Sequence, residues 1–397
     1  MLKKLTQTGL VIFLAVCGSL SQAELLIPAP PQIAAAGWVL MDANTGQVIV
    51  EHNARERLPP ASLTKMMTSY IVSQEIENGR IKEDDVARVS EYAWKTGGWA
   101  SGSSVMSLLP NSEAKVIDLL RGVIIQSGND ASIVLAEHLA GSEAAFADIM
   151  NQQAEIIGMK DTHFENATGL PGENHYTTAY DMALMAQALI RDFPSHYAIY
   201  SEKYFEYDNH RQPNRNRLLW RDSSVDGVKT GHTQEAGYCL VASALRDDMR
   251  LISVVMGTSS EEVRARESQT LLSYGFRYYE TAKLFSAGEV LVEKSRVWYG
   301  DKDYVNLVAN EDIYATIPRG SQEGLKTEVQ VEPVLKAPLD KGQELGRANV
   351  VFDGKQLADI PVVVADAVAE AGFFSRLWDA IMLFFMSLFA SGGEAAP

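Results

Sequence analysis

The chain has 397 residues, more than a single hydrophobic core usually organises, so a large unit with a smaller companion is expected. Against 51 acidic residues it carries 35 basic ones, a formal charge of −16, and a nucleic-acid partner is not expected because phosphate binding needs clustered Lys and Arg. Seven histidines with no HExxH or similarly close spacing argue against a metal site.

The first segment, MLKKLTQTGLVIFLAVCGSLSQA, places Lys3 and Lys4 before the apolar run Leu10 to Val16 and ends on small residues suited to cleavage after Ala23. That is the pattern of a secretory signal peptide. Its apolar run is too short for a bilayer span, which takes about 20 residues. Val16, where a small residue would be needed, weighs against lipidation at Cys17. Removal of the signal leaves only Cys239, so no intrachain disulfide forms, and Cys239 in the apolar run YCLVASA reads as an inert buried residue.

GWVLMDANTGQVIVEHN then reads as strand, Asn-Thr-Gly turn, strand. From Leu63 to about Asn78 the apolar residues recur at three or four, and Gly79 stops the helix. Further helices are predicted near 115–126, 130–140, 143–158 and 179–191. VDGVKTGHT, GYCLVASALR and MRLISVVMG give three more strands, and a last helix is predicted over about 260–283. Two early strands, a helical middle and three late strands make an α/β (α+β) unit in which an antiparallel sheet pairs the chain's beginning with its end. From Phe285 to about Ala365 short alternating runs punctuated by Gly and Pro predict a small all-β domain, a sandwich. The segment GFFSRLWDAIMLFFMSLFASGG predicts an amphipathic helix. Ser375, Arg376, Asp379 and Ser387 gather on one side of it, which favours a helix lying in a membrane interface. A span is one rival reading, weakened by Arg376 and Asp379 at about 2.5–3.5 kcal/mol each in lipid, and a helix packed on the protein is another, disfavoured because so wide an apolar surface would need a groove to cover it.

The chemistry concentrates in three short stretches. In PPASLTKMMTSY, Ser62 and Lys65 are three apart at the start of a helix, so their side chains share one face. A helix N-terminus disfavours a cation, and with burial this pushes the lysine toward a neutral amine able to act as base. A serine hydroxyl needs such a base to become a nucleophile. IIQSGNDAS then places Ser127, Gly128 and Asn129 between two helices, and VDGVKTGHT places Lys229, Thr230 and Gly231 at the end of a strand. An SxxK, a Ser-x-Asn element and a KTG in this order mark penicillin-binding proteins and class A β-lactamases. A second KTG, Lys95 to Gly97, lies in a Gly-, Ser- and Trp-rich stretch without a strand and is taken as coincidence.

With ASLTKMMT, LLRGVIIQSGNDAS, VDGVKTGHT, AGYCLVASA, RLISVVMG and LLSYGFRYYET, essentially the whole mature chain resembles the D-alanyl-D-alanine carboxypeptidases. These are low-molecular-mass penicillin-binding proteins with a C-terminal β domain and a membrane-associated tail. The resemblance implies a penicillin-binding/serine β-lactamase-like transpeptidase domain with a five-stranded antiparallel sheet and a helical subdomain. It implies that Ser62 is the acylated nucleophile, Lys65 its base, Ser127 a proton relay and Asn129 a substrate hydrogen-bond partner. The ammonium of Lys229 would face Ser127. The backbone N–H groups of Ser62 and His232 would form the oxyanion hole, and Thr230 with Arg264 would hold a terminal carboxylate, Arg266 being the alternative.

The implied partners are peptidoglycan stem peptides, β-lactams as covalent inhibitors and, through the C-terminal helix, the cytoplasmic membrane; no cofactor is implied. The expected division is a signal peptide at 1–23, a catalytic domain at 24–284, a β domain at 285–365 and an anchoring tail at 366–397, acting in the periplasm on the outer face of the inner membrane. A D,D-endopeptidase, a β-lactamase and a non-catalytic wall-shaping protein are the alternatives. For the β-lactamase, Glu155 and Glu165 are present but neither stands in an ExxLN setting.

Overall fold

The computed structural model describes residues 27–390; the expected signal peptide lies outside the described residues. Strands β1 (Gly37–Asp42) and β2 (Val48–His52) form the predicted hairpin, and β3 (Val225–Thr233), β4 (Gly237–Arg246) and β5 (Met249–Thr258) complete one sheet. Its order is β2-β1-β5-β4-β3, antiparallel throughout. The first and last parts of the unit meet where β1 pairs with β5, Val39 opposite Val254 and Met41 opposite Ile252.

All six residues of β1 are buried, because helices cover both faces of the sheet. Strand residues alternate between faces. Val39 and Met41 therefore join one core with Met66, Met67 and Ile71 of α1 (Lys65–Glu77), Ile133 of α2 (Asn129–Ala140), Phe146 of α3 (Glu143–Ile157) and Met182 of α4 (Ala179–Asp192). Trp38 and Leu40 join the other with Leu271, Leu272 and Phe276 of α5 (Glu261–Tyr278). Each such side chain, fully buried, stabilises the fold by about 1.5–3 kcal/mol relative to exposure.

Two expectations are corrected. The helix predicted over 260–283 stops at Tyr278, and Tyr279–Phe285 forms strand β6, paired with Ile313–Pro318. Long-range pairing overrides local helical spacing there. The helix predicted near 115–126 is α only over Val116–Arg121 and continues as a π turn over Gly122–Gln126. A small hairpin, Tyr204–Tyr207 with His210–Pro213, was not expected.

From β6 to Val364 the regular structure is β apart from one 3₁₀ turn, Gln322–Gly324, as expected for this stretch. A six-stranded sheet runs in the order Leu325–Val331, Glu344–Phe352, Lys355–Val364, Tyr304–Ala309, Val290–Trp298, Leu335–Lys336, and β6 with Ile313–Pro318 makes a second small sheet. The apolar clusters of the two share Leu284 and Leu325. This β unit is tied to the first sheet at the end of β1. There the buried carboxylate of Asp42 accepts hydrogen bonds from Thr281 Oγ1 at 2.6 Å and Thr316 Oγ1 at 2.8 Å.

The tail forms helix α6 (Phe373–Ala390). Two of its polar residues meet the protein: Tyr299 N donates to Asp379 Oδ2 at 2.7 Å, Arg296 lies 3.5 Å from Asp379 Oδ1, and Arg376 pairs with Glu370. Phe374, Leu377, Trp378 and Phe385 are exposed on the other side. No described helix is long and apolar enough to cross a membrane.

Candidate active site

The chain enters the site through Pro60 and Ala61. Ala61 takes φ 47°, a left-handed conformation that is strained for a residue with a Cβ. A 3₁₀ turn, Ala61–Thr64, then runs into α1, so Ser62 and Lys65 share a face and Lys65 Nζ lies 3.1 Å from Ser62 Oγ. The Lys65 amine is fully buried, 2.6 Å from Asn129 Oδ1 and 2.5 Å from the Thr168 carbonyl oxygen. Both neighbours accept and neither donates. A neutral amine gives its two N–H bonds to them and turns its lone pair to the Ser62 hydroxyl. Burial, reinforced by the positive charge of Arg215 and opposed by Asp130 and Glu143, lowers the Lys65 pKa to about 7.

Ser127 follows the π turn in a left-handed conformation, φ 63°, which reverses the chain before α2 starts at Asn129. Asp130, the next residue, is buried and accepts from the backbone N–H groups of Met106, Ser107 and Leu108 at 2.8, 2.9 and 3.0 Å. Asn129 N donates to the Ser104 carbonyl at 2.8 Å. These bonds fix the segment that brings Ser103 and Ser104 to the rim of the cleft. Burial raises the Asp130 pKa, against the pull of the four N–H groups bonded to it.

Strand β3 has β4 as its one hydrogen-bonded neighbour in the described sheet, and along its other side lie the Ala61–Thr64 turn and the cleft. A Cβ on Gly231 would come within 3.1 Å of the Pro60 carbonyl, so the strand approaches that turn as closely as glycine allows. Lys229 is buried, with Nζ 2.9 Å from Ser127 Oγ and 3.2 Å from the Thr230 carbonyl. Burial first, then the like charges of Lys65, Arg215 and Arg264, depress its pKa well below that of a free lysine. Arg264 Nη1 donates to the Gly231 carbonyl at 3.2 Å, and its guanidinium lies 5.5 Å from the ring centroid of Tyr238. His232 stacks on Tyr238 at 4.0 Å.

A cleft of about 380 Å³ collects Ser62, Ser127, Asn129, Thr230, Gly231, His232 and Arg264, with Lys65 and Lys229 beneath it. Of the two arginines, Arg264 lines the cleft, whereas Arg266 is exposed and pairs with Glu267. Thr168, Arg215, Tyr238 and Glu261 also line it and escaped the sequence reading. Asp130, an acid in the first turn of a helix, carried a local signal; Arg215, in RQPNRNR, carried none. Glu155 and Glu165 lie outside the lining of the cleft.

The early KTG sits in a short helix, Glu91–Gly97, where Lys95 is exposed and pairs with Glu91 at 2.9 Å. Its glycine has a structural use: a Cβ on Gly97 would fall 2.5 Å from Asp130 N, against the start of α2.

The family model for D-alanyl-D-alanine carboxypeptidase matches residues 25–260, and that for the penicillin-binding protein 5 C-terminal domain matches residues 279–370. The chain belongs to the D-alanyl-D-alanine carboxypeptidase family. It is 48% identical over 372 residues to D-alanyl-D-alanine carboxypeptidase DacC of Escherichia coli (strain K12), covering 93% of this chain and 92% of the relative. Penicillin binding protein 5 from Haemophilus influenzae superposes with a TM-score of 0.81 at 45% identity, covering 86% of this chain and 100% of the other. Penicillin-binding protein D2 from Listeria monocytogenes, in its ampicillin-bound form, matches with a TM-score of 0.55 at 29% identity, over 63% of this chain and 100% of the other.

Proposed function

We propose that this protein is a serine D-Ala-D-Ala carboxypeptidase that removes the terminal D-Ala of peptidoglycan stem pentapeptides. Neutral Lys65 takes the Ser62 proton as Oγ attacks the penultimate D-Ala carbonyl. The tetrahedral oxyanion is held by the backbone N–H groups of Ser62 and His232, an interaction for which one lost donor costs about 10²–10³ in kcat. Ser127, bonded to Lys229, returns a proton to the leaving amine. The peptide lies along β3, with Asn129 on its backbone, and its carboxylate meets Thr230 and Arg264. The arriving anion offsets the repulsion among Lys229, Arg215 and Arg264 and restores the Lys229 ammonium. Water then hydrolyses the acyl-enzyme. A β-lactam acylates Ser62 by the same attack and leaves slowly.

The observation that carries this reading is the pairing of Lys65 with Ser62 and of Lys229 with Ser127 around one cleft at the edge of a sheet. Incubation with a stem pentapeptide, a cross-linked dimer and a chromogenic β-lactam tests it: release of D-Ala from the pentapeptide is expected. Cleavage of the dimer alone would make the protein an endopeptidase, rapid turnover of the β-lactam a β-lactamase, and no turnover a non-catalytic wall protein.

The pairing of β6 with Ile313–Pro318 supports drawing the boundary between the catalytic and β units near Tyr278/Tyr279, a few residues before the expected 284/285. The exported enzyme acts in the periplasm, and the exposed apolar side of α6 rests in the outer interface of the cytoplasmic membrane. Deletion from Gly372 onward is expected to move the protein to the soluble fraction with activity on small peptides intact.

A further inference from the structure

We infer that His175 is a positioning residue for acylation, clamping the segment Glu165–Leu170 onto the nucleophile turn so that the Thr168 carbonyl holds the Lys65 amine against Ser62. The inference rests on the acyl-enzyme reading above.

His175 is buried beneath the turn, its ring edge-on to Phe164 at 5.9 Å. The Glu165 backbone N–H donates to its Nδ1 at 3.0 Å, so that nitrogen carries no proton. In the neutral ring the proton is then on Nε2, which donates to Thr64 Oγ1 at 2.8 Å. One imidazole thus bridges the loop and the residue preceding Lys65. The same loop reaches α1 twice more: the Thr168 carbonyl accepts from Lys65 Nζ at 2.5 Å and the Ala167 carbonyl from Thr68 Oγ1 at 2.8 Å. Asn166 Oδ1 shapes it by accepting from Thr168 N and Gly169 N at 3.1 and 2.7 Å. Gly169, at φ +82°, lies so close to the turn that a Cβ there would fall 1.8 Å from the Ala61 carbonyl.

The ring stays neutral across ordinary conditions. Burial, the largest influence, holds the His175 pKa at about 4, with Glu165 pulling it up and His163 and Lys65 pushing it down. Protonation would put a hydrogen on Nδ1 against the Glu165 N–H, so the bridge survives only in the uncharged ring.

Burial is also the largest influence on Lys65, so a loosened loop that admits water should raise the Lys65 pKa and reduce the neutral fraction. The test is the second-order rate of Ser62 acylation by a chromogenic β-lactam, followed against pH. His175→Ala should lower the plateau about 10- to 100-fold, the scale of a small misplacement of a reacting group, and move the acid limb to higher pH. Thr64→Val, which removes the other end of the bridge, should move the limb the same way, and the double variant should be no worse than His175→Ala alone. His175→Asn, which keeps an acceptor for the Glu165 N–H only, should fall between His175→Ala and the unaltered protein, and it and Thr64→Val carry the test if His175→Ala does not fold. An unmoved acid limb, or additive losses in the double variant, would overturn the inference while a labelled unaltered protein kept the acyl-enzyme reading intact. An unaltered protein that takes no label at Ser62 would end both.

Discussion

At Lys65 burial tips the balance toward the neutral amine against the pull of Asp130 and Glu143, and two oxygen acceptors suit an amine with two hydrogens. Because only the neutral form can take the Ser62 proton, the acylation rate should rise with pH through the Lys65 pKa of about 7 and fall on the acid side, measured as β-lactam acylation at constant ionic strength. Lys65→Arg should abolish acylation, read as loss of covalent penicillin labelling, since a guanidinium stays protonated and cannot serve as base. The contact behind both predictions is legible in the sequence, where Ser62 and Lys65 stand one helical turn apart. Thr168 and Arg215 were not legible, because a backbone carbonyl has no residue preference and an arginine in a loop reads as solvated charge.

Among the elements, those with their own periodicity could be read and those decided by distant partners could not. The five sheet strands and α1 carry apolar patterns that need no knowledge of the rest of the chain. β6 continues a helical spacing and becomes a strand because Ile313–Pro318 pairs with it. The short helix Glu91–Gly97 shows the reverse dependence, since its packing distance from α2 is set by the missing side chain of Gly97. Gly97→Ala should push the two helices apart and destabilise the fold by about 1–3 kcal/mol, as overpacking does, detectable as a lower denaturant midpoint. The same displacement would disturb Asn129, so β-lactam acylation should slow in the folded fraction as well.

In the whole molecule, Asp42 is the point where two units share one buried carboxyl group. Asp42→Ala leaves two threonine hydroxyls without their acceptor and should cost about 1–3 kcal/mol, with calorimetric unfolding separating into two transitions. Burial raises the Asp42 pKa, so the folded state holds a proton that the unfolded chain has already released. Stability from this group is therefore greatest at acid pH and declines as pH climbs through the folded value, a slope that Asp42→Asn should flatten. The junction itself had no signature in the sequence, since one Asp and two Thr far apart in the chain say nothing of their meeting.

The unpaired margin of β3 bears on solubility. A bare strand invites a neighbouring molecule's strand to zip onto it, the first step of aggregation. Here the Pro60–Leu63 turn packs directly against the strand at Gly231, so the flat approach that a second folded copy would need is obstructed along that stretch. The turn that carries Ser62 thus doubles as a safeguard against self-association.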